Sequence, residues 1–414
     1  NQAETVNAVS PHVYLIVGTS SLMIGRIDEW KSNIIKYINL HKSLLMKAKK
    51  KGYNFQILEP GLTISTIGAS FTIDAWIKSQ ILGFQEKTRL ILPLTSSHRK
   101  NLVNPCMLEY FRPYIDIIED PKEAKYYYSL VKECHASHNI YIPCGNGYIG
   151  YHTHAAASYI QSIWDKQGRK PLFEITDDHR EKGQNTLKKM GVPEDAWFVA
   201  CHVREGGFKG EEKFRDADIT TYFEAFNEIV KRGGWVIRMG DNTMAPMPKM
   251  TQVIDYAHSE YKSDWMDVFL CASAKFMIAT SSGLHTISWL FRVPVAQTNN
   301  LPAAGSYLSK QDLFLPRLMR RKDNGQMLNL VELMTSPYSM GVGDGMYDNI
   351  FNVEVIPNTD WEIKSICIEM MDILDGSIEY SESDEELQEI FKRETAAKEV
   401  MMGFPNTLIP SRIG

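Results

Sequence analysis

An apolar run, Ala196-Trp197-Phe198-Val199-Ala200-Cys201, leads directly into His202-Val203-Arg204-Glu205-Gly206-Gly207-Phe208. A short apolar segment closed by a Gly-rich turn reads as a buried strand. Arg215, Asp216 and Asp218 follow, then a helical stretch over 219–231. The alternation then repeats. Gly234-Trp235-Val236-Ile237-Arg238-Met239 reads as a strand ending in Gly240-Asp241, Val253-Ile254 as a short one, and Phe276-Met277-Ile278-Ala279 as a third. Strands alternating with helices predict an α/β fold with a parallel sheet. Ligands of such sheets bind beyond the C-terminal ends of the strands. The residues just after each strand are therefore the candidates for chemistry.

Those residues suit an anion. Arg204 presents a planar fork that pairs with two oxygens of a diphosphate at once. Thr280-Ser281-Ser282-Gly283 ends a strand and opens a helix at 284–291. Free backbone N–H groups and the helix dipole make such a junction an anion cradle. Alone, Ser281 and Ser282 would read as helix caps; Arg204 on a neighbouring unit favours phosphate. Ser263 reads as the N-cap of a helix with Asp264 and Asp267 in its first turn. Asp216-Ala217-Asp218 has the letters of a D-x-D metal motif. Its place before a helix makes Asp218 an N-cap, with Arg215 turned to the ligand, and no metal is expected there.

Taken together, several motifs over about 196–301 resemble a family of bacterial glycosyltransferases found with surface-polysaccharide and flagellar-glycan genes. They are Trp197-Phe198-Val199 with His202-Val203-Arg204, Arg215-Asp216-Ala217-Asp218-Ile219, and Gly233-Gly234 running to Gly240-Asp241. Val253 to Ser259, Lys262-Ser263-Asp264-Trp265-Met266-Asp267 and Thr280-Ser281-Ser282-Gly283-Leu284 complete the set. A weaker likeness extends over 54–371. More distantly, the His-x-Arg and Ser-Ser pattern is similar to fucosyltransferases of the GT-B type. The resemblance implies two Rossmann-like domains facing across a cleft, with a C-terminal helix crossing back. It implies domains at 1–185 (acceptor side, with an extra N-terminal helix), 186–355 (donor side) and 356–414 (returning helices).

It also implies roles. Arg204 would hold a donor diphosphate and stabilise the leaving group. His202 and Asp267 would lie near the base, Ser281, Ser282 and Gly283 would touch phosphate, and Arg215 and Asp241 would complete the donor site. The expected activity is transfer of a hexosyl or deoxyhexosyl group from a nucleotide-diphosphate sugar to a glycan or lipid-linked glycan of O-antigen type. Inversion without metal or other cofactor is expected.

Composition is compatible with this. A chain of 414 residues accommodates two domains, and 44% hydrophobic with 23% charged residues is ordinary globular usage. A net charge of −5 argues against a nucleic-acid surface. Six cysteines without a C-x-x-C pair read as thiols of a reducing, cytoplasmic compartment. No apolar run approaches the roughly 18–20 residues of a membrane span. The chain starts at Asn1 and stops at Gly414, which reads as a piece of a longer protein.

The first half is less specific. A long amphipathic helix is predicted at 27–51, ending in Lys47-Ala48-Lys49-Lys50-Lys51. A basic C-terminal turn matches the helix dipole; contact with an anionic membrane face is the alternative. Strands are predicted at 55–58 and 89–92, with a Thr-, Ser- and Gly-rich loop at 61–68 before a helix at 71–82. That loop, with Gly68, Ser70 and His98, is the expected acceptor side. The family often carries a His just after the Gly, where this chain has Gly68-Ala69-Ser70. Asp74 and Glu59 are then the candidates for the catalytic base, with His98 nearby; surface roles for all three stay open. Cys134, His135, His138, Cys144, His152 and His154 cluster without a trusted zinc spacing and read as coincidental or acceptor-lining. Arg317, Arg320, Arg321 and Lys322 fall in 313–333, read as a solvated helix with contact to a donor or acceptor phosphate as the alternative. Amphipathic helices are expected at 360–374 and 385–401.

The alternative from another class is a non-catalytic nucleotide- or glycan-binding domain of a larger glycan-assembly protein. A dinucleotide-dependent oxidoreductase is weak, because no G-x-G-x-x-G opens either domain.

Overall fold

The computed structural model describes residues 26–136, 141–144, 147–150, 153–206, 213–301, 309–333, 338, 345–397 and 412–413. Gly207, Phe208, His138, His152 and the end of the helix expected at 385–401 lie outside them. Helix α1 (Ile27–Lys50) places Asp28 and Glu29 in its first turn and Lys47, Lys49 and Lys50 in its last, as its dipole favours. Lys49 and Lys51 pair with Glu86 and Glu133 of the same lobe.

Strands β1 (Phe55–Ile57), β2 (Arg89–Pro93) and β3 (Asp116–Ile118) form a parallel sheet in chain order. Helix α2 (Phe71–Ile81) connects β1 to β2. Leu90, Ile91 and Leu92 are all buried, as expected of a strand covered on both faces. An antiparallel pair, β4 (Tyr141–Cys144) and β5 (Gly147–Gly150), precedes helices α3 (Thr153–Lys166) and α4 (Asp177–Lys189). The expected domain boundary at 185/186 falls inside α4.

The second lobe holds β6 (Phe198–His202), α5 (Phe223–Lys231), β7 (Trp235–Arg238), β8 (Val253–Asp255) and α6 (Asp264–Ser273). It continues with β9 (Met277–Ala279), α7 (His285–Leu290), β10 (Val295–Asn300) and β11 (Leu313–Pro316). Strands β12 (Leu318–Arg321) and β13 (Val353–Ile356) form a separate antiparallel pair, and β14 (Arg412–Ile413) joins the edge of the large sheet. The large sheet runs β14-β11-β10-β9-β6-β7-β8 and is parallel throughout. The chain builds outward from β6 through β7 to β8, then returns to build the other way from β9. That is the doubly wound order of a Rossmann sheet, with its switch point between β6 and β9.

The solvated helix expected at 313–333 is corrected. Leu313 and Phe314 are buried in β11, and β12 alternates exposed Leu318, buried Met319, exposed Arg320. That period of two is a strand's. Helix α8 (Asp360–Asp375) begins at a capping box of Thr359 and Glu362 and ends at Gly376 with φ 69°. Its Ile363, Ile366, Cys367, Met370 and Met371 share a core with Val199, Phe226 and Ala296. Helix α8 thus closes the second lobe, because its apolar stripe fits the uncovered face of the large sheet. A last helix, α9, spans Glu382–Ala397. Among the described residues no helix is long and apolar enough to cross a membrane.

One apolar core spans both lobes, holding Trp76, Leu92 and Phe111 with Met266, Leu290 and Val295. Helix α4 approaches α6 so closely that a Cβ at Gly183 would overlap the Phe269 ring.

Candidate functional site

The loops leaving β6 and β9 meet at the switch point. Thr280 N–H donates to the His202 carbonyl at 3.1 Å, extending the ladder by one residue. Arg204 N–H then donates to Thr280 Oγ1 at 2.9 Å. This fixes the direction in which Arg204 leaves the sheet. Its side chain is 10% exposed, with Nη1 2.6 Å from Asp216 Oδ1. Arg215 Nε donates to the Ser281 carbonyl at 2.7 Å. Arg317, at the end of β11, is buried; its Nη1 donates to the Phe214 carbonyl at 2.7 Å and its Nη2 to that of Asp216. Two guanidinium groups from two strand ends, Arg204 and Arg317, therefore hold segment 214–216, and Arg215 of that segment reaches across to the Ser281 carbonyl. Asp218 caps the next turn by accepting from Thr220 N–H at 2.8 Å, as its position before a helix predicts. The Asp-x-Asp pair is thus divided between an ion pair and a cap.

Two histidines line the same junction. Burial, helped by Arg238, Arg204 and Lys262, pushes His202 down to about 4, with Asp241 opposing. Burial, with His202 and Arg215 nearby, pushes His285 down to about 3, with the Thr280 backbone opposing. Both rings are neutral at pH 7. Nδ1 of each is buried and finds no hydrogen-bond partner among the described residues. Buried polar atoms are ordinarily satisfied, so two orphans at one junction are informative. Ser282 Oγ accepts from Leu284 N–H at 3.3 Å, so its hydroxyl also caps the turn.

Arg238, fully buried at the end of β7, organises the adjoining wall. It pairs with Asp255 at 2.8 Å and Glu205 at 3.0 Å, and donates to the Ala245 carbonyl at 3.1 Å. Asp241 follows at the strand end and accepts from Thr243 N–H at 2.8 Å. Asp267 is differently employed. Its carboxylate accepts from Tyr256 Oη at 2.8 Å and lies 2.5 Å from Lys262 Nζ. Burial raises its pKa while Lys262 and Tyr256 oppose. Both oxygens thus have partners within their own lobe.

The first lobe touches this junction through glycine. A Cβ on Gly283 would lie 2.7 Å from Gly68 N, and one on Gly68 would lie 2.9 Å from Gly283 Cα. The nearest atoms on each side are backbone, which cannot yield as the end of a flexible side chain can. Gly283→Ala should lower stability by about 1–3 kcal/mol, the usual range for overpacking. Gly61→Ala, with nothing within 4 Å of its added Cβ, is the control. Equal thermal melts for the two variants would show that the contact does not hold the lobes together.

The remaining first-lobe candidates separate. Glu59 leaves β1 with Oε2 3.4 Å from His135 Nε2. His98 follows β2, bonds Thr95 Oγ1 at 3.0 Å and packs edge-on against Tyr128. Its pKa is lowered by burial, with Glu59 among the opposing influences. Ser70 Oγ donates to the Ile67 carbonyl at 2.6 Å inside its own turn. Asp74 is turned inward and pairs with Lys78 at 2.7 Å. Of the Cys/His cluster, Cys134 is buried among Ala48 and Ile57, away from any ligand set. Among the described residues no group of three or more His, Cys, Asp or Glu side chains is arranged to hold a metal ion.

Sequence reasoning passed over Thr280, His285 and Arg238 as site residues and held Arg317 only as an alternative phosphate contact. The first two were visible as polar residues flanking the Ser-Ser-Gly turn. Arg238 stood inside a motif without a role. Arg317 carried no local signal, because its partners lie about a hundred positions earlier.

No family profile matches the chain, and no curated protein sequence does. Among solved structures it is similar to the Escherichia coli ADP-heptose lipopolysaccharide heptosyltransferase II, at 11% identity and TM-score 0.35 over 63% of this chain and 85% of that one. A glycosyltransferase family 9 protein from Veillonella parvula gives 12% identity and TM-score 0.25 over 65% and 66%. The iron-containing dodecameric heptosyltransferase TibC, in complex with ADP-D-beta-D-heptose, gives 13% identity and TM-score 0.35 over 77% and 76%. Likenesses this weak decide nothing about activity, which has to be argued from the chain's own residues.

Proposed function

We propose that this protein is a glycosyltransferase of two-lobed, GT-B organisation that moves a sugar from a nucleotide-diphosphate donor to a glycan acceptor. The observation that carries the reading is the convergence of Arg204, Arg215 and the 280–284 turn on the switch point of a doubly wound sheet. Anionic nucleotides bind at that position of such sheets. The two orphan histidine nitrogens at the same junction suit a polar ligand.

In this reading Arg204 and Arg215, with the N–H groups of Ser282 and Gly283, hold the diphosphate. Asp241, at the end of the second strand of the Rossmann unit, reaches the ribose hydroxyls, as an acid there commonly does. Neutral His202 and His285 offer hydrogen bonds without charge. Glu59 in the first lobe takes the proton of the acceptor hydroxyl, which displaces the diphosphate with inversion. Gly68, Ser70 and His98 belong to the acceptor side. A lipid-linked glycan of O-antigen type, met at the cytoplasmic face of the membrane, is the acceptor class we favour. Domains of about 1–185, 186–355 and 356–414 remain the working division.

The experiment is a thermal-shift panel of UDP, GDP, ADP and dTDP, followed by release of nucleoside diphosphate from the matching sugar donor. No stabilisation by any nucleotide would defeat the reading. Binding without turnover, with acceptors present, would favour a glycan- or nucleotide-binding module. The Gly68-Ala69-Ser70 sequence, lacking the family's His, motivates that second reading.

Transfer is expected to survive EDTA, because guanidinium groups and a helix terminus can neutralise the leaving group themselves. Loss of activity restored by Mg²⁺ or Mn²⁺ would assign Asp216 and Asp218 to a metal instead.

A further inference from the structure

Three titratable side chains gather at the C-terminal edge of the small sheet. Glu59 leaves β1, His98 follows β2, and His135 lies beside β1 on the other side, where Ile57 and His135 form a parallel bridge. Ala136 N–H donates to the Ile57 carbonyl at 2.8 Å, which fixes the backbone after His135. His41 Nε2 of α1 donates to the His135 carbonyl at 2.8 Å, and its ring stacks on Tyr37. The His135 backbone is therefore held from two sides. His135 is 5% exposed, whereas the Glu59 side chain is 27% exposed. A buried, anchored imidazole thus stands 3.4 Å from a carboxylate that still reaches solvent.

The carboxylate stands at the root of the loop that touches the donor side. The chain runs from Glu59 through a turn at Pro60–Thr63 to Ile67–Ser70, and Gly68 there abuts Gly283. Glu59 and the anion turn are thereby tied to the two ends of one short segment.

We propose that His135 is a positioning residue that orients Glu59 as the base of the transfer reaction. This rests on the glycosyltransferase reading above. The acceptor O–H bond breaks and its proton passes to Glu59. The acceptor oxygen forms the new bond to the anomeric carbon. The bond from that carbon to the diphosphate oxygen breaks, and the nucleoside diphosphate leaves with the electron pair. Glu59 then returns its proton to water. His135 forms no bond to substrate; its Nε2 stands 3.4 Å from Glu59 Oε2, a contact that limits where the carboxylate can swing. The other groups around the pair are His98 after β2, His41 and Tyr37 on α1, Cys134 next in sequence, and the Lys51–Glu133 ion pair.

The test uses the full chain and the nucleotide-sugar chosen by the thermal-shift panel, with nucleoside diphosphate release followed against pH. His135→Ala should lower kcat roughly tenfold, a fraction of what a general base contributes. Donor KM should stay within twofold, on the order expected where ground-state binding is untouched. His135→Gln keeps an N–H donor and should recover most of the rate. In a Glu59→Gln background, His135→Ala should cost nothing further.

Equal losses in the Ala and Gln variants, a donor KM that rises with the fall in kcat, or additive losses with Glu59→Gln would each overturn the inference. If His135→Ala does not fold, the Gln variant and its cycle with Glu59→Gln decide alone: near-native kcat supports the inference, and a loss additive with Glu59→Gln overturns it. Failure of the glycosyltransferase reading looks different, because then no nucleotide stabilises even the native chain.

Discussion

Arg204→Ala is expected to reduce turnover by about 10²–10³-fold, the usual loss when one charge-stabilising donor is removed. The side chain sits where β6 and β9 part, and its backbone N–H is fixed by Thr280 Oγ1 at 2.9 Å. Its charge is therefore delivered to one place rather than swept over a loop. The fold should survive. Asp216 loses an ion-pair partner, but Arg317 still holds the Asp216 carbonyl and Ala217 N–H still donates to the Arg204 carbonyl at 2.9 Å. Arg204→Lys should fall between native and Ala, since an ammonium keeps charge but loses the fork. The measurement is nucleoside diphosphate release at saturating donor, with a thermal melt alongside. Turnover near native in the Ala variant would remove Arg204 from the mechanism.

The second lobe was legible in the sequence because its signals are local. Each strand is a short apolar run, and each is followed within a few residues by the polar groups that matter. Arg204, Ser281 and Ser282 could be placed on strand ends without any knowledge of pairing. What made them one site is the strand order, and that order is long-range: β6 pairs with β9, some seventy-five positions later. The resemblance to a known family supplied that adjacency in advance; the spacing did not.

Other features stayed hidden for a related reason. Arg317 looked like one of several basic residues on a surface helix, until β11 carried it to the loop at 214–216. Asp267 was read by analogy, and its partners Tyr256 and Lys262 could not be seen without the turn that brings them back. Gly68 and Gly283 each read as a turn residue. Only the folded chain shows that each is glycine because the other is there. The burial of Ile363, Met370 and Met371 of α8 against the large sheet is likewise a long-range contact that the helix's own pattern does not name.

Lys78→Ala should be the most destabilising single change, at about 3–5 kcal/mol, because it leaves a buried carboxylate without its counter-charge. Lys78 is 1% exposed, 2.7 Å from Asp74 on α2 and 2.7 Å from Gln161 Oε1 on α3. Gln161 donates onward to Asp165 at 2.8 Å, and Asp165 pairs with Arg292 at 2.6 Å. Burial raises the Asp74 pKa and lowers that of Lys78, and each partner opposes the shift of the other. Arg292 follows α7 with φ 65°, a left-handed conformation that a side chain adopts at some cost. Its ion pair with Asp165 holds it there. The chain of contacts thus ties α2 and α3 to the segment after α7, and α2 directly follows the turn bearing Gly68. Lys78→Met with Asp74→Leu should be close to neutral, since replacing both charges by apolar groups leaves nothing stranded. Denaturant unfolding of the single and double variants measures both. A single variant within about 1 kcal/mol of native would mean that water reaches Asp74 and the pair is not sealed. If the pair is sealed, Lys78→Ala should also weaken nucleoside diphosphate binding, because loosening α2 releases Gly68 from the anion turn that the other lobe presents to it.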